Sequence, residues 1–315
     1  MRSLPARDLA NLAAQMRTVT FDRGEHLLRE EDVTKGFFMI VSGSVTMRRH
    51  GRHIGTVRGP GAVGLLSLLA RDLAGTSAIA DSFVEAYEVP KETMEDIFED
   101  HVPVMLGTLR WVSSQLIAAN LENEPPAFSP PTIPIDKMVG ERELGLVERI
   151  FVLRQMGAFK EANVSSLATL VRKMEELRLP AGEVLWRRGD PSDATYFVVK
   201  GMLDLVWDEK RSQEVGPGYV VGGAETIAGS ARWNDLVTKE PVVMLRGSRE
   251  GLIELFEDDR DIGLKFLSLL AKFLMGVWDK RAEAGILSVG TAASVPDVVA
   301  FETARPSNAT LTEER

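Results

Sequence analysis

The residues best suited to chemistry lie in the segment YVVGGAETIAGSARWNDLV, residues 219 to 237. Gly222 and Gly223 precede a predicted short helix, Glu225 falls in its first turn, and Arg232 follows it. A glycine-rich helix start offers backbone N–H groups to an anion, and an arginine forms charge-assisted pairs with phosphate oxygens. The segment is therefore a candidate anion site, with these four residues as its tentative ligand-binding residues.

Two interpretations of Arg232 and Glu225 are open. In the first, Arg232 binds a phosphate group and Glu225 contacts a sugar of the same ligand. In the second, Arg232 pairs with Asp235 on the surface, and Glu225 is the polar side of a helix start. We favour the second, because Asp235 would bring negative charge toward a bound phosphate.

The residue types give little support to a metal site, a phosphate loop or an enzyme active site. The chain has no cysteine, and its four histidines lack carboxylate or thiol companions at metal-ligand spacing, so we predict no metal site. GPGAVG, residues 59 to 64, has no following lysine and is predicted to be a turn, not a phosphate loop. MRRHGRH, residues 47 to 53, is predicted to be a solvated hairpin turn. No nucleophile elbow or carboxylate dyad is present, so we expect no catalytic residues and no enzyme.

Composition narrows the class of protein. The 315 residues are 44% hydrophobic and 26% charged, which is ordinary for globular domains. The net charge of -9 argues against a nucleic-acid partner, since phosphate-binding surfaces are normally basic. No apolar run reaches the roughly 18 residues of a membrane span, and no secretory signal is evident. We expect a cytoplasmic protein.

An internal duplication sets the domain organisation. Shifting the chain by 158 residues superposes GEHLLREEDVTKGFFMIVSG, residues 24 to 43, on GEVLWRRGDPSDATYFVVKG, residues 182 to 201. The proline-rich segment between the copies predicts a stiff, extended linker. The predicted units are a first domain over 1–121, a linker over 122–140, a second domain over 141–283 and a disordered tail over 284–315.

Each copy combines short strands with flanking helices. DATYFVVKGMLDLVWD is enriched in β-branched and aromatic residues, and glycines fall where hairpins turn. Residues 91–121 and 248–281 place apolar residues at helical intervals. Residues 5–16 are also predicted to be helical, as are residues 141–179 with a break near Gly157. The fold class is therefore mainly β with flanking α: two jelly-roll β-barrel domains with N- and C-terminal helices.

The motif order resembles the cyclic nucleotide-binding domain, the fold of the catabolite activator protein and, in tandem, of the regulatory subunit of cyclic-AMP-dependent protein kinase. LPAGEVLWRRGDPSDATYFVVKGML, GPG and the long closing helices carry this resemblance. The family binds its ligand with a cassette written roughly FGELAL, followed by R-A/S-A-T/S. The resemblance implies that the arginine pairs with the cyclic phosphate and that the glutamate accepts a hydrogen bond from the ribose.

Neither copy keeps the whole cassette. In the first, Leu65 replaces the glutamate and Ala74 the arginine, and an apolar helix is expected to plug the pocket, with Arg71 a solvated residue nearby. In the second, Gly223 replaces the glutamate while Arg232 keeps the arginine position. Losing both polar anchors would weaken binding by on the order of 3 to 6 kcal/mol.

Two functions follow from this comparison. We expect a non-enzymatic regulatory or scaffold protein with degenerate pockets and no cofactor, which binds a protein partner or a second copy of itself. The alternative is a cyclic nucleotide sensor that binds its ligand through Arg232 and moves its C-terminal helix. The segment 284–315 is too short for a helix-turn-helix, so we predict no direct DNA binding.

Overall fold

The computed structural model describes residues 16–30, 32–71, 75–121, 139–160 and 162–284. Almost all of the predicted helix over 5–16, of the linker over 122–140 and of the tail over 284–315 lies outside these residues. Among the described residues, no helix is both long and apolar enough to cross a membrane.

The first barrel consists of two four-stranded antiparallel sheets, ordered β1-β8-β3-β6 and β2-β7-β4-β5. Their side chains alternate between the barrel interior and its outside, as in Val45 and Met47 of β4, which are buried. The strands are β1 (Arg17–Phe21), β2 (His26–Leu28), β3 (Gly36–Ser42), β4 (Ser44–Arg49), β5 (Arg52–Arg58), β6 (Gly61–Val63), β7 (Ser77–Ala80) and β8 (Val84–Pro90).

The second barrel repeats this arrangement strand for strand, with sheets β9-β16-β11-β14 and β10-β15-β12-β13. The duplication read in the sequence is therefore a duplication of topology, and the predicted fold class of two jelly-roll domains is confirmed. The strands are β9 (Glu175–Leu179), β10 (Val184–Trp186), β11 (Ala194–Lys200), β12 (Leu203–Asp208), β13 (Arg211–Val215), β14 (Val220–Val221), β15 (Asp235–Thr238) and β16 (Val242–Ser248).

The repeated glycines Gly43 and Gly201 show why the two copies share these residues. Both have positive φ, and a Cβ atom at either position would lie within 2.4 Å of the carbonyl oxygen of the residue just before the neighbouring strand, Phe83 or Pro241. Any side chain would push the strands apart at this turn. The motif glycines thus build the barrel, as the sequence predicts.

The helices are α1 (Leu65–Ala70), α2 (Lys91–Asp100), α3 (Val102–Leu121), α4 (Leu146–Arg154), α5 (Val164–Arg172), α6 (Gly223–Ala228), α7 (Arg249–Asp258) and α8 (Arg260–Ala284), with a 3-10 turn at Gly157–Phe159. The prediction of helix over all of 141–179 is wrong at its end. Residues 175–179 form β9, because Leu177 and Leu179 alternate with charged residues and pair with β16.

The closing helices cross between the two barrels. The helices α3 and α8 pack along each other, while α1 of the first barrel lies against α8 and α6 of the second barrel lies against α3. One continuous apolar core therefore includes residues of both halves, among them Leu109 and Leu274, both essentially fully buried. Each short helix at the cassette position is covered by the long helix of the other half.

Candidate functional site

Arg232 is buried beneath the start of α6. Only 3% of its surface is exposed, and its guanidinium lies 4.1 Å from the centre of the Trp186 ring. Its Nη1 donates to the Gly222 carbonyl at 3.1 Å and its Nη2 donates to the Ala194 carbonyl at 2.7 Å. The guanidinium is thus bound on its face by an aromatic ring and at its edge by two backbone carbonyls.

The predicted surface pair of Arg232 with Asp235 is wrong. Asp235 begins β15, and its Oδ1 accepts a hydrogen bond from the backbone N–H of Arg188 at 2.6 Å. The main chain of Arg232 is tied to the turn after β10, donating to Asp190 and accepting from Gly189. These two bonds direct the side chain inward, under α6.

Gly222 makes the close approach of Arg232 possible. It has a φ of 74°, and a Cβ atom there would lie 2.2 Å from Arg232 Nη1. Gly223 is the first residue of α6, and it borders the space inside the barrel. The two glycines therefore serve different purposes: the first leaves room for the guanidinium, and the second leaves room in the pocket.

Glu225 is also buried, which overturns its interpretation as the solvated side of a helix start. It is 2% exposed, and its Oε1 has no hydrogen-bond partner. Burial raises the pKa of the Glu225 carboxyl above its ordinary value, while the nearby charge of Arg232 and a hydrogen bond from Trp233 act in the opposite direction. Burial likewise lowers the pKa of Arg232, against the charge of Glu225. A carboxyl in this environment holds its proton more firmly than one in water.

A cavity of about 540 Å³ occupies the second barrel beside these residues. Gly222, Gly223 and Glu225 line it, but Arg232 does not. Its walls are mainly apolar and come from the barrel strands, from α6, and from the two long helices α3 and α8. Of the four predicted site residues, the structure brings three together at one cavity and separates the cationic one from it.

The sequence analysis missed the polar side chains of the barrel wall. Trp207 on β12 and Gln213 on β13 line the cavity, and each has a buried side-chain atom without a hydrogen-bond partner, Nε1 and Oε1 respectively. The ring of Trp233 lies 5.5 Å from that of Trp207. The alternation of LDLVWD, which buries Leu203, Leu205 and Trp207, was the signal that could have identified this wall.

The same position in the first barrel is filled. All six residues of α1 are buried, which confirms the prediction of an apolar helix there. Among the described residues, the space beside it between Leu65, Leu66 and the tryptophans Trp111 and Trp278 of the two long helices measures about 40 Å³. Arg71 is exposed, as predicted for a solvated residue, and Ala74 lies outside the described residues.

The basic hairpin of the first barrel is exposed at Arg48, His50, Gly51 and Arg52, as predicted for a solvated turn, but Arg49 is buried in an interdomain contact. Arg49 is 3% exposed, and it donates to the Gly75 carbonyl at 2.7 Å and to the Asp279 carboxylate of α8 at 3.0 Å. His50 lies 3.2 Å from the same carboxylate. The cluster binds the first barrel to the closing helix of the second. Within the described ranges, no group of three or more side chains is arranged to hold a metal ion.

Comparison with known proteins gives matches to one family. The family model described as cyclic nucleotide-binding domain matches residues 18–101 and 176–259, which together are more than half of the chain. A lysophospholipase of Neurospora crassa is 28% identical over 118 residues, 36% of this chain and 8% of that protein. A cyclic nucleotide-gated potassium channel of Mesorhizobium japonicum is 32% identical over 74 residues, 24% of this chain and 20% of that protein.

Solved structures are also similar to this chain. The regulatory domain of Toxoplasma gondii PKA, solved with cAMP, shares 15% identity over 90% of each chain, with a TM-score of 0.32. The chain spans less than a quarter of the length of the two curated relatives named above. On the match of the family model to both barrels, the chain belongs to the cyclic nucleotide-binding domain family.

Proposed function

We propose that this protein is a non-enzymatic regulatory or scaffold protein whose two barrels do not bind cyclic nucleotides and which acts through contacts with a protein. One observation carries the proposal: the guanidinium of Arg232, the cation at the cassette position, is already bound inside the protein. It donates to two backbone carbonyls, stacks on Trp186, and is absent from the wall of the cavity.

Energetics support the loss of nucleotide binding in the second barrel. To reach a phosphate in the cavity, Arg232 would have to give up two charge-assisted hydrogen bonds, each worth about 1.5 to 3 kcal/mol. It would also lose a desolvated cation–π contact worth about 2 kcal/mol. A phosphate would have to offset these losses before any net affinity appeared, and Glu225 would add a carboxyl group to the same wall.

The first barrel has even less capacity for a nucleotide. Its sequence has Leu65 and Ala74 where the family has its glutamate and arginine, and α1 is buried against α8. The space of about 40 Å³ that remains admits one or two water molecules and not a sugar-phosphate ring.

A role in regulation through protein contacts is consistent with where related segments occur. In the lysophospholipase and the potassium channel, the matching segment is a small part of a larger enzyme or channel. A domain of this kind is thus found as a component that accompanies another activity. We extend this to the present chain with a separate protein, or a second copy, as the partner.

The alternative function is a cyclic nucleotide sensor in the second barrel. One observation favours it: Arg232 lies directly behind Gly222 at the helix start, and its buried Nε has no hydrogen-bond partner. A rotation of the side chain past Gly222 would bring the guanidinium to the cavity, and α8 would be the element that responds, since it forms part of the cavity wall.

Thermal melting of the full chain with millimolar cyclic AMP, cyclic GMP and cyclic dinucleotides separates the two functions. A ligand at 100 times its dissociation constant stabilises its protein by about 2.7 kcal/mol, which shifts the melting temperature by several degrees. We expect no shift with any of the three.

A shift that is present in wild type and absent in Arg232→Ala would instead establish the sensor. Each variant is compared with its own unliganded melt, and Arg211→Ala, an exposed arginine paired with Asp208, is the matched control. Light scattering at micromolar concentration then shows whether the protein partner is a second copy of the chain.

A further inference from the structure

The cavity of the second barrel has the properties of a small-molecule site, although its cation is turned away. Its volume of about 540 Å³ lies within the range of about 300 to 1,000 Å³ that holds small organic ligands. Most such pockets are apolar and contain a few polar groups that fix the orientation of the ligand. The chemistry of this wall can therefore be used to infer the class of ligand.

Three side chains on the wall contain buried polar atoms without a partner. They are the indole N–H of Trp207, which is a donor, the amide oxygen of Gln213, which is an acceptor, and Oε1 of Glu225. A buried polar group without a hydrogen bond costs about 1 to 3 kcal/mol, and native proteins contain few of them. Because each of these three atoms is itself buried, a bound molecule supplies the missing partners once a small displacement of the cavity wall brings it into contact with them.

Charge at the cavity excludes ionic ligands of either sign. None of the described residues that line it is a lysine, arginine or histidine, so an anion would enter an apolar space without a counter-ion. A cation would meet the buried positive charge of Arg232, which is fixed behind Gly222 by two carbonyls. The carboxyl of Glu225 is already close to that guanidinium and does not need a second cation.

The apolar part of the wall is largely aromatic. Trp207 and Trp233 lie side by side at the barrel end, and Phe159, Phe266 and Phe273 approach from the helices. Aromatic walls favour flat ring systems, which stack on them or meet them edge to face.

We propose that the second barrel binds an uncharged, flat aromatic molecule that carries at least one hydrogen-bond donor and one acceptor. The acceptor of the ligand pairs with the indole N–H of Trp207, and its donor pairs with the amide oxygen of Gln213 or with Glu225. The inference rests on the proposed function in one respect: Arg232 stays bound to Ala194 and Gly222, so no phosphate is involved.

The first barrel shows which substitutions created this space. Under the 158-residue shift, Leu65 and Leu66 correspond to Gly223 and Ala224. The second barrel therefore has a glycine and an alanine at the helix start where the first barrel has two leucines. Ser67 corresponds to Glu225, and Arg49 corresponds to Trp207. The second barrel thus differs from the first at the positions that leave its cavity open and at the positions that place polar groups on the cavity wall.

The site is also shared by the two halves of the chain. Leu116 and Ile117 of α3 form one side of the cavity, and Leu269 and Phe273 of α8 form another. A ligand bound there would contact both long helices and stabilise their packing against each other.

Fluorescence titration of the full chain with a fixed panel of uncharged aromatic probes tests the proposal. The panel is 7-amino-4-methylcoumarin, 7-amino-4-methyl-2-quinolone and 2-aminoacridone, each uncharged and flat with N–H donors and a carbonyl acceptor, and the readouts are emission of the probe and quenching of tryptophan. We expect at least one of them to bind saturably, with one molecule per chain.

Cavity-filling variants test whether the probe binds inside this cavity. Ala224→Leu introduces the residue of the first barrel and should weaken probe binding about tenfold or more, and adding Gly223→Leu should abolish it. Ala231→Leu is the same change at an exposed position of the same segment and should bind like wild type. Leu269→Trp fills the cavity from the opposite wall and should also weaken probe binding. It serves as the test if the first variants do not fold.

Each contrary result has a distinct meaning. If no probe of the panel binds wild type saturably, this proposal fails and the proposed function stands. Equal affinity for wild type and both sets of filling variants would put the probe elsewhere on the protein, which also overturns it. Displacement of the probe by micromolar cyclic AMP would overturn this proposal and the proposed function together.

Discussion

The two barrels of this chain have the same strand order but opposite interiors at the cassette position. In the first, α1 is uniformly apolar, and leucines and two tryptophans leave about 40 Å³. In the second, α6 begins with two glycines and an alanine, and a cavity of about 540 Å³ remains. At the arginine position of the cassette the first barrel has Ala74 in its sequence, whereas the Arg232 guanidinium of the second donates to two backbone carbonyls.

This difference shows that two barrels with the same strand order can have unlike interiors. The first barrel gained apolar packing, since every leucine of α1 is removed from water. The second retained polar groups and bound the arginine to its own backbone, which keeps the pocket wall intact. The comparison therefore separates a barrel whose interior is filled at this position from one that keeps a cavity.

The largest effect is expected from Arg232→Ala in the second barrel. The variant loses two charge-assisted hydrogen bonds and the stacking on Trp186, so we expect the free energy of unfolding to fall by about 3 to 5 kcal/mol. Urea denaturation of the full chain measures this change.

Arg211→Ala is the control for Arg232→Ala, because Arg211 pairs with Asp208 at a largely exposed site. Exposed ion pairs contribute about 0 to 1 kcal/mol, so its loss should be small. Similar losses for the two variants would mean that Arg232 is not held internally and is free to serve a ligand.

A smaller effect is expected from Leu66→Ala in the first barrel. Leu66 is 7% exposed and borders the small void beside Trp278, so the change enlarges that void toward the size seen in the second barrel. We expect a loss of about 2 to 3 kcal/mol in unfolding free energy, the lower part of the range for leucine-to-alanine changes.

The reverse change, Ala224→Leu, is the natural counterpart to Leu66→Ala. It fills existing space and should cost less than Leu66→Ala, because the cavity can accept the added carbons without displacing its walls. If the two changes cost the same, the cavity in the second barrel is not available space, and the contrast between the barrels fails.

The sequence was sufficient to predict the architecture of the two barrels, but not the geometry of the candidate site. Gly43 and Gly201 have positive φ, a local property of a tight turn that the repeated motifs display, so the barrels and their duplication could be predicted. The direction of the Arg232 side chain could not, because it depends on carbonyls 38 and 10 residues away in sequence, at Ala194 and Gly222. From the sequence we expected Arg232 to be exposed and paired with Asp235, but in the folded protein it lies under α6.

The interdomain contact of Arg49 was missed for the same reason. Its partner Asp279 lies 230 residues further along the chain, on a helix whose position depends on the packing of both barrels. Local charge patterns describe neighbours in sequence, and buried pairs of this kind form between elements that only the tertiary structure brings together.

The smallest effect, and the one most specific to the second barrel, is the pH dependence introduced by Glu225. Burial raises its pKa in the folded protein, so the native state binds more protons than the unfolded state at pH values above the ordinary glutamate value of 4.5. Unfolding free energy therefore falls as pH rises through this window, and the stabilising contribution is fully present only below it.

Glu225→Gln removes the titration and should be increasingly stable relative to wild type as the pH is raised from about 4.5 toward the folded-state pKa. The measurement is the difference in unfolding free energy between variant and wild type across a pH series, since other titrating groups cancel in that difference. Glu209→Gln, at an exposed turn, reports what the same replacement does outside the cavity. Ser67, which does not titrate, occupies the corresponding position in the first barrel, so this pH dependence of stability is specific to the second barrel. If the difference in unfolding free energy between Glu225→Gln and wild type stays constant with pH, Glu225 titrates alike in the folded and unfolded chain, and the prediction is wrong.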